Sequence, residues 1–145
     1  MPLPRLLTIM GSGETAPTMI KTHRALIDRL GEPARAVVLD TPYGFQENAP
    51  ELATRAQDYF RKSVGQPIEV AGLQQVRDAD ELALAKGLSR LRDANYLFAG
   101  PGSPTYTLRQ WASSPVPTEI AAKLRSGGAV TFASADALTL GRFTV

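Results

Sequence analysis

The sequence contains no cysteine and only one histidine among its 145 residues, and both shortages restrict its chemistry. Without cysteine the chain has no disulfide framework, no thiol nucleophile and no cysteine-ligated metal site. The single histidine, His23, cannot form a histidine-rich metal site. It falls on the apolar stripe of a predicted helix, where we expect a buried, hydrogen-bonded side chain. We therefore expect neither a metal nor a cofactor.

Long apolar runs and blocks of a single charge are also missing. No stretch approaches the roughly 18 consecutive apolar residues of a membrane-spanning helix, and the N-terminal MPLPRLLTIM is interrupted too early by GSGET for a signal peptide. The net charge of +2 comes from scattered Lys and Arg, without a basic patch of the kind that binds nucleic acids. The sequence therefore predicts a cytoplasmic protein with no membrane or nucleic-acid partner.

A hydrophobic fraction of 43% and a charged fraction of 21% are ordinary for a globular protein, and residues 1–145 suit a single domain with one core. Apolar runs alternate with stretches of helical spacing along the chain. The apolar runs predict buried strands at 6–10, 35–40, 67–73, 95–100 and 127–134. The intervening stretches predict helices at 17–30, 49–64 and 78–92, then one or two more through 111 and at 117–125, and a last one from 135.

Buried strands separated by helices indicate a mostly parallel sheet that is covered on both faces. Right-handed crossovers then give a doubly wound, three-layer αβα sandwich of the flavodoxin-like type. Ligands of such sheets bind outside the carboxyl ends of the strands. Four loops leave strands at that edge, and we expect the functional site among them: GSGET, DTPYGFQEN, AGPGSPTY and ASADA.

These loops also carry carboxylates and aromatic rings. The carboxylates of Glu14, Asp40 and Glu47 are more typical of capping or solvated groups than of a convergent cluster. The aromatic residues are more typical of rings that pack over helix ends than of a pocket lining; they are Tyr43, Phe45, Tyr106 and Trp111.

The first loop, Gly11–Ala16, fits the dinucleotide-binding pattern G-x-G-x-x-G/A between a strand and a helix. Asp40 ends the second strand about where an acid would bind a ribose hydroxyl. Against this interpretation, Glu14 places a carboxylate where a pyrophosphate requires bare amides, and Pro17 removes an N–H group. The alternative is that the glycines only turn the chain and that Glu14 or Thr15 caps the helix.

Ser134 comes directly after the fifth predicted strand, with a predicted helix behind it. A serine on such a turn exposes its hydroxyl, and the helix N-terminus faces the oxyanion that develops in acyl transfer. The small neighbours Ala133 and Ala135 suit this crowded turn, whereas Phe132 and Asp136 stand where G-x-S-x-G has glycines. The other interpretation of Ser134 is the N-cap of the last helix.

Four segments in order, IMGSGE, LDTP, LFAGPGSPTYTL and GGAVTFASADALTLG, resemble the cyanophycinase and aspartyl dipeptidase family of serine peptidases. The similarity is greatest to an amidotransferase-like branch of that family rather than to its characterised peptidases. It runs over essentially the whole chain and matches the N-terminal part of the family's fold. The resemblance therefore implies a class I glutamine amidotransferase-like fold that lacks its C-terminal part.

The same resemblance implies roles for individual residues. Ser134 matches the nucleophile, and the amides of Gly102 and Ala135 match the donors of the oxyanion hole. Pro101 precedes Gly102 and has no N–H to donate. We also expect substrate contacts from the loops at this edge, at Gly13, Glu14 and Ser103.

Members of the family carry a catalytic histidine and an acid downstream of the serine, whereas no histidine follows Ser134 here. A serine without a base is a poor nucleophile near neutral pH. Because GRFTV, residues 141–145, resembles the start of another element, we expect either part of a longer protein or a fold without its chemistry. Three hypotheses follow: a hydrolase of small molecules or short peptides, a non-catalytic nucleotide- or small-ligand-binding module that uses Gly11–Ala16, and a purely structural or oligomerising fragment whose apolar surface is covered by a partner. We also expect a homo-oligomer, most simply a dimer.

Overall fold

The computed structural model describes residues 3–140, which form an α/β fold around one five-stranded parallel sheet. The strand order is β1-β5-β4-β2-β3, and all neighbouring pairs are parallel. The strands are β1 (Arg5–Met10), β2 (Ala36–Leu39), β3 (Ile68–Val70), β4 (Tyr96–Ala99) and β5 (Gly128–Ala133).

Five α-helices connect or follow these strands: α1 (Ile20–Arg29), α2 (Ala49–Tyr59), α3 (Glu81–Asp93), α4 (Pro104–Trp111) and α5 (Val116–Ser126). Local chemistry sets several of their ends. The Asp80 carboxylate caps α3 by accepting from Ala83 N, and the Ser103 hydroxyl caps α4 by accepting from Tyr106 N. After α2 the chain makes one π-helical turn, which ends at Gly65 with a φ of 81°.

The helices lie in two layers because the chain reverses direction along the sheet after β3. Right-handed crossovers place α1 and α2 on one face and α3, α4 and α5 on the other. The two cores agree with this arrangement. The first core contains Leu26, Leu30, Phe60, Val38 and Phe98; the second contains Leu88, Leu91, Trp111, Ile120, Val37, Leu97 and Phe132. The predicted doubly wound, three-layer sandwich is therefore confirmed.

Strand β1 differs from the prediction of a strand buried on both faces. Leu6 and Met10 are buried, but Leu7 is 50% exposed and Ile9 is 63% exposed. The cause is topological, since β1 lies at one edge of the sheet and pairs only with β5. Although α5 contacts β1, it leaves Leu7 and Ile9 at least half exposed.

The segment after β5 also differs from the prediction, because Ser134–Leu140 is a 3-10 helix rather than an α-helix. Residues 141–145, for which the sequence predicts the start of a further element, lie outside the described residues. Among the helices of residues 3–140, none is long and apolar enough to cross a membrane.

Candidate active site at the carboxyl edge of the sheet

The register of the sheet brings the predicted site residues to one edge. Met10 pairs with Ala133, so the loop after β1 and Ser134 leave the sheet side by side. On the other side of β5, Ala99 pairs with Phe132, so the loop after β4 begins beside Ala133. Ser134 therefore emerges between the Gly11–Ala16 loop and the 100–103 loop, a neighbourhood that depends on the strand order.

Ser134 has a φ of 58°, in the left-handed region that side-chain-bearing residues rarely adopt. Among residues 3–140, the only other non-glycine residue with a positive φ is Ser113, which follows α4, where left-handed residues commonly end helices. Ser134 instead joins a strand to a helix, so the end of a helix does not explain its left-handed conformation. The conformation costs about 1–2 kcal/mol, and such strain tends to occur at functional sites.

This geometry does not fit the alternative interpretation of Ser134 as an N-cap. An N-cap residue has an extended backbone, and its side chain accepts a hydrogen bond from the first turn. Ser134 is left-handed and is itself the first residue of the 3-10 helix. Ser134 is half-buried, and its hydroxyl forms no hydrogen bond with other residues of the described part of the chain.

The residues around Ser134 leave room for this turn. Phe132 is buried and packs edge-to-face against Trp111, with ring centroids 6.3 Å apart, in the layer of α3, α4 and α5. A phenylalanine in place of the usual glycine is therefore accommodated by the core. Ala133 is fully buried. The side chain of Asp136, the second departure from G-x-S-x-G, lies outside what the structure describes.

The 100–103 loop is held against the loop that follows β2. Ser103 N donates to the Pro42 carbonyl at 2.8 Å. A β-carbon at Gly102 would overlap the same carbonyl, so this close approach requires glycine. The Gly102 N–H donates to no acceptor among residues 3–140. The Ser103 hydroxyl accepts from Tyr106 N at 3.1 Å as the cap of α4, and its role in substrate binding stays a prediction.

The Gly11–Ala16 loop turns at Gly13, which has a φ of 87°, and Ala16 N donates to the Gly13 carbonyl at 2.8 Å. Two helices anchor the loop. The His23 ring in α1 hydrogen-bonds the Glu14 carbonyl at 2.8 Å, and the Tyr59 hydroxyl at the end of α2 donates to the Ala16 carbonyl at 2.9 Å. The N-cap of the following helical turn is Ala16, so the expectation that Glu14 or Thr15 caps it is wrong.

His23 is fully buried, as its place on an apolar stripe predicts. A carbonyl oxygen only accepts, so Nε2 carries the proton that it donates to Glu14, and Nδ1 accepts from the Tyr96 hydroxyl at 2.8 Å. Burial lowers the pKa of His23 below its usual 6.5. Both nitrogens are occupied and the ring is kept neutral, so His23 positions a loop rather than serving as a base.

Two of the three loop carboxylates are buried, in contrast to the expectation that they are capping or solvated. Glu14 is 5% exposed and Asp40 is 1% exposed, whereas Glu47 is exposed as expected. Asp40 accepts from Leu73 N at 2.8 Å, so it ties β2 to the loop after β3. Burial raises the pKa of the Asp40 carboxyl. Asp40 is thus a buried structural acid of the sheet edge.

The loop aromatics divide between packing and a cavity. Phe45 packs against Tyr106 in a tilted arrangement with ring centroids 5.3 Å apart, and Trp111 belongs to the core, so these rings pack as predicted. Tyr43 is buried instead beside a cavity of about 260 Å³ that Glu14 and Tyr59 also line. The α2 contribution to this cavity was not predicted, because nothing in the local sequence around Tyr59 indicates which loop it meets.

The site offers no evident metal position. Within the described ranges, no group of three or more His, Asp or Glu side chains is arranged to hold a metal ion. A nucleotide on the Gly11–Ala16 loop stays a prediction. The buried carboxylate of Glu14 works against a phosphate there, and β1 lies beside β5 rather than beside β2, as it would in a dinucleotide-binding fold.

The fold and the edge of converging loops define an α/β sandwich of a type found in solved peptidases. No family model matches the sequence, and none of the curated proteins is significantly similar to it. A peptidase from an acI-B1 Actinobacterium is similar in structure over 92% of this chain, with a TM-score of 0.79 and 23% identity. A candidate peptidase E protein from Listeria monocytogenes EGD-e is similar over 91%, with a TM-score of 0.58 and 13% identity.

At these identities the likeness shows the fold alone. This chain spans 55% of the length of the first structure and 59% of the second. The predicted homodimer, the cytoplasmic location and the absence of a nucleic-acid partner stay predictions.

Proposed function

We propose that this chain carries the nucleophile of a serine-type amide or peptide hydrolase related to the cyanophycinase and aspartyl dipeptidase family. The observation that carries the proposal is the left-handed backbone of Ser134, with its φ of 58°, directly after β5. A serine in this position presents its hydroxyl at the sheet edge, and the strain of the turn has no other evident purpose. The fold shared with two peptidases supports the same reaction class.

In the proposed reaction Ser134 Oγ attacks the carbonyl carbon of an amide and its proton passes to a general base. The carbonyl oxygen becomes an oxyanion, which accepts hydrogen bonds from the N–H groups of Gly102 and Ala135. Gly102 N–H has no acceptor among residues 3–140, and the amide of Ala135 belongs to the first helical turn, where N–H groups lack intrahelical partners. The C–N bond then breaks, the amine leaves with the proton, and water hydrolyses the acyl-serine ester.

The general base of this reaction comes from outside these 145 residues. The chain has one histidine, and His23 is buried, neutral and bonded through both ring nitrogens. The structures that share the fold are substantially longer than this chain, so they contain additional elements. In our proposal a histidine, oriented by an acid, reaches Ser134 from such an element or from a partner subunit.

The proposed substrate is a small amide or a short peptide. Gly13 and Ser103 flank the position of Ser134 in the loops after β1 and β4, and both are proposed to contact the substrate through their backbone. The turn at Gly13 is anchored by α1 and α2, so its amides are held in fixed positions for this purpose.

Serine-directed labelling tests the proposed nucleophile. The product of the complete reading frame is treated with a fluorophosphonate probe near pH 8, and the modified peptide is identified by mass spectrometry. We expect modification at Ser134 and its loss in Ser134→Ala. Ser113→Ala is the matched control, because Ser113 has nearly the same φ of 59° and is exposed but lies far along the chain from β5. Equal labelling of the wild type and Ser134→Ala contradicts the proposal.

A further inference from the structure

A cavity of about 260 Å³ lies between α2 and the carboxyl ends of β2 and β4. It is smaller than the roughly 300–1,000 Å³ of most small-molecule pockets, so it suits one small group of a ligand. Its wall includes Gly100 and Pro101, the two residues that precede Gly102 in the proposed oxyanion loop. A group bound in the cavity therefore sits against the loop of the proposed active site.

Two polar side chains of the cavity lack partners. Tyr43 is 3% exposed, and its hydroxyl is buried without a hydrogen bond. Glu14 is 5% exposed, and its carboxylate forms no hydrogen bond or ion pair with other residues of the described part of the chain. A β-carbon at Gly100 would lie 3.9 Å from Glu14 Oε1, which places the carboxylate against the 100–103 loop. Buried polar groups are normally hydrogen-bonded, so the enclosed Tyr43 hydroxyl and the mostly buried Glu14 carboxylate, which keeps some contact with solvent, both have bonding capacity left for a ligand.

The protein's own cation does not neutralise this carboxylate. Arg55 lines the cavity from α2, but its guanidinium contacts the Glu51 carboxylate at 2.9 Å, and its side chain is 67% exposed. The hydrogen bond from His23 to the Glu14 carbonyl fixes the backbone of Glu14 beside the cavity. The remaining walls are largely apolar or aromatic, with Val38, Leu52, Ala56, Tyr59 and Phe98.

From these contacts we propose that the cavity is a binding subsite for a primary ammonium group, which pairs with the Glu14 carboxylate and donates to the Tyr43 hydroxyl oxygen. An ammonium is a compact cation with donors only, which matches two acceptors in a small space; a planar guanidinium with five donors requires more acceptors than these walls supply. The apolar walls suit the carbon atoms next to the amine. An anion is excluded from the cavity floor by the charge of Glu14.

An ammonium subsite at this place defines the substrates of the proposed hydrolase as amides or peptides with a free amino group. This statement about substrates rests on the proposed function. The free amine anchors in the cavity beside Gly100, while the amide lies along the 100–103 loop. Binding of an amine to the cavity does not itself depend on Ser134. The subsite and the nucleophile can therefore be tested separately.

The test is the binding of L-leucinamide and N-acetyl-L-leucinamide at pH 7, followed by calorimetry and by NMR shifts of the Glu14 and Gly100 amides. The two probes differ in the cationic amine. We expect L-leucinamide to bind the wild type and to shift those amides, and the acetylated probe to bind at least 10-fold more weakly. Glu14→Gln removes the charge at nearly constant size and should weaken L-leucinamide binding at least 10-fold, and Tyr43→Phe should weaken it about threefold.

Glu47→Gln is the matched control, because Glu47 is an exposed carboxylate in the loop after β2 that does not line the cavity, and the affinity of this variant for L-leucinamide should stay within twofold of the wild type. Equal binding of the two probes, or wild-type affinity in Glu14→Gln, overturns the subsite. If amine binding follows these expectations while labelling of Ser134 fails, the subsite stands and the proposed hydrolase does not.

Discussion

The left-handed backbone of Ser134 predicts that glycine at this position makes the protein more stable than alanine does. At a φ of 58°, the β-carbon of a serine or an alanine crowds the following carbonyl, whereas glycine has no β-carbon. Ser134→Ala removes the hydroxyl but keeps the crowding. Ser134→Gly removes both. The difference between the two variants therefore isolates the backbone strain from the loss of the hydroxyl.

The expected magnitude follows from two opposing effects. Relief of the left-handed strain contributes about 1–2 kcal/mol, and the greater freedom of glycine in the unfolded chain costs about 0.5–1 kcal/mol. Ser134→Gly should therefore be more stable than Ser134→Ala by about 0.5–1 kcal/mol. For a chain of this size, 1 kcal/mol corresponds to roughly 2–4 °C in Tm, so the expected difference is about 1–4 °C.

Urea denaturation followed by circular dichroism, with thermal unfolding in parallel, measures this difference. Ser113→Gly and Ser113→Ala form the matched pair, since Ser113 has a φ of 59° at the end of α4, and glycine should be favoured there by a similar amount. If Ser134→Gly is equal to or less stable than Ser134→Ala while the Ser113 pair behaves as expected, Ser134 is not strained, and the argument for a nucleophile turn loses its basis.

Two further predictions concern the residues that hold the site together. Gly102→Ala should lower the free energy of unfolding by about 1–3 kcal/mol, because its β-carbon overlaps the Pro42 carbonyl. The same variant should abolish fluorophosphonate labelling of Ser134. Gly11→Ala is the near-neutral control for urea denaturation, because nothing lies within 4 Å of its added carbon. His23 has a folded-state pKa below its unfolded value of 6.5, so its contribution to stability is complete above pH 6.5 and is lost as the pH falls below it.

The His23 prediction is checked by urea denaturation between pH 8 and pH 5. His23→Gln should be less stable throughout but should show a flatter dependence on pH in this window. The comparison with the variant is needed because the raised pKa of Asp40 acts in the opposite direction: protonation of Asp40 is easier in the folded state, so its contribution grows as the pH falls. An identical slope in the wild type and His23→Gln refutes the buried neutral histidine.

Much of the fold could be predicted because it depends on local patterns. The β2, β4 and β5 strands read as uninterrupted apolar runs, and all three are buried on both faces. Their crossovers required helices, and the small residues after β5 indicated the turn at Ser134. The exposure of Leu7 and Ile9 could not be predicted, because an edge strand with the same apolar residues gives the same pattern as a central one.

The side chains that line the site were less predictable than the position of the site in the fold. Glu14 looked like a capping or solvated carboxylate, and Tyr43 looked like a ring packed over a helix end. Both are buried beside one cavity because β1, β2 and β4 end at the same edge and α2 folds over them. These contacts join residues that are distant in sequence, so no local pattern reports them.

The sequence by itself determined the α/β class, the edge at which the loops meet and the position of Ser134 within it. It could do so because parallel strands and their helices have periods that are visible along the chain, and because such strands all end at one edge. Only the tertiary structure decided that Ser134 is left-handed, that His23 is committed to the Glu14 carbonyl, and that the Glu14 side chain is largely buried beside a cavity. Each of these depends on the order of strands in the sheet and on packing between distant elements, which local patterns do not encode.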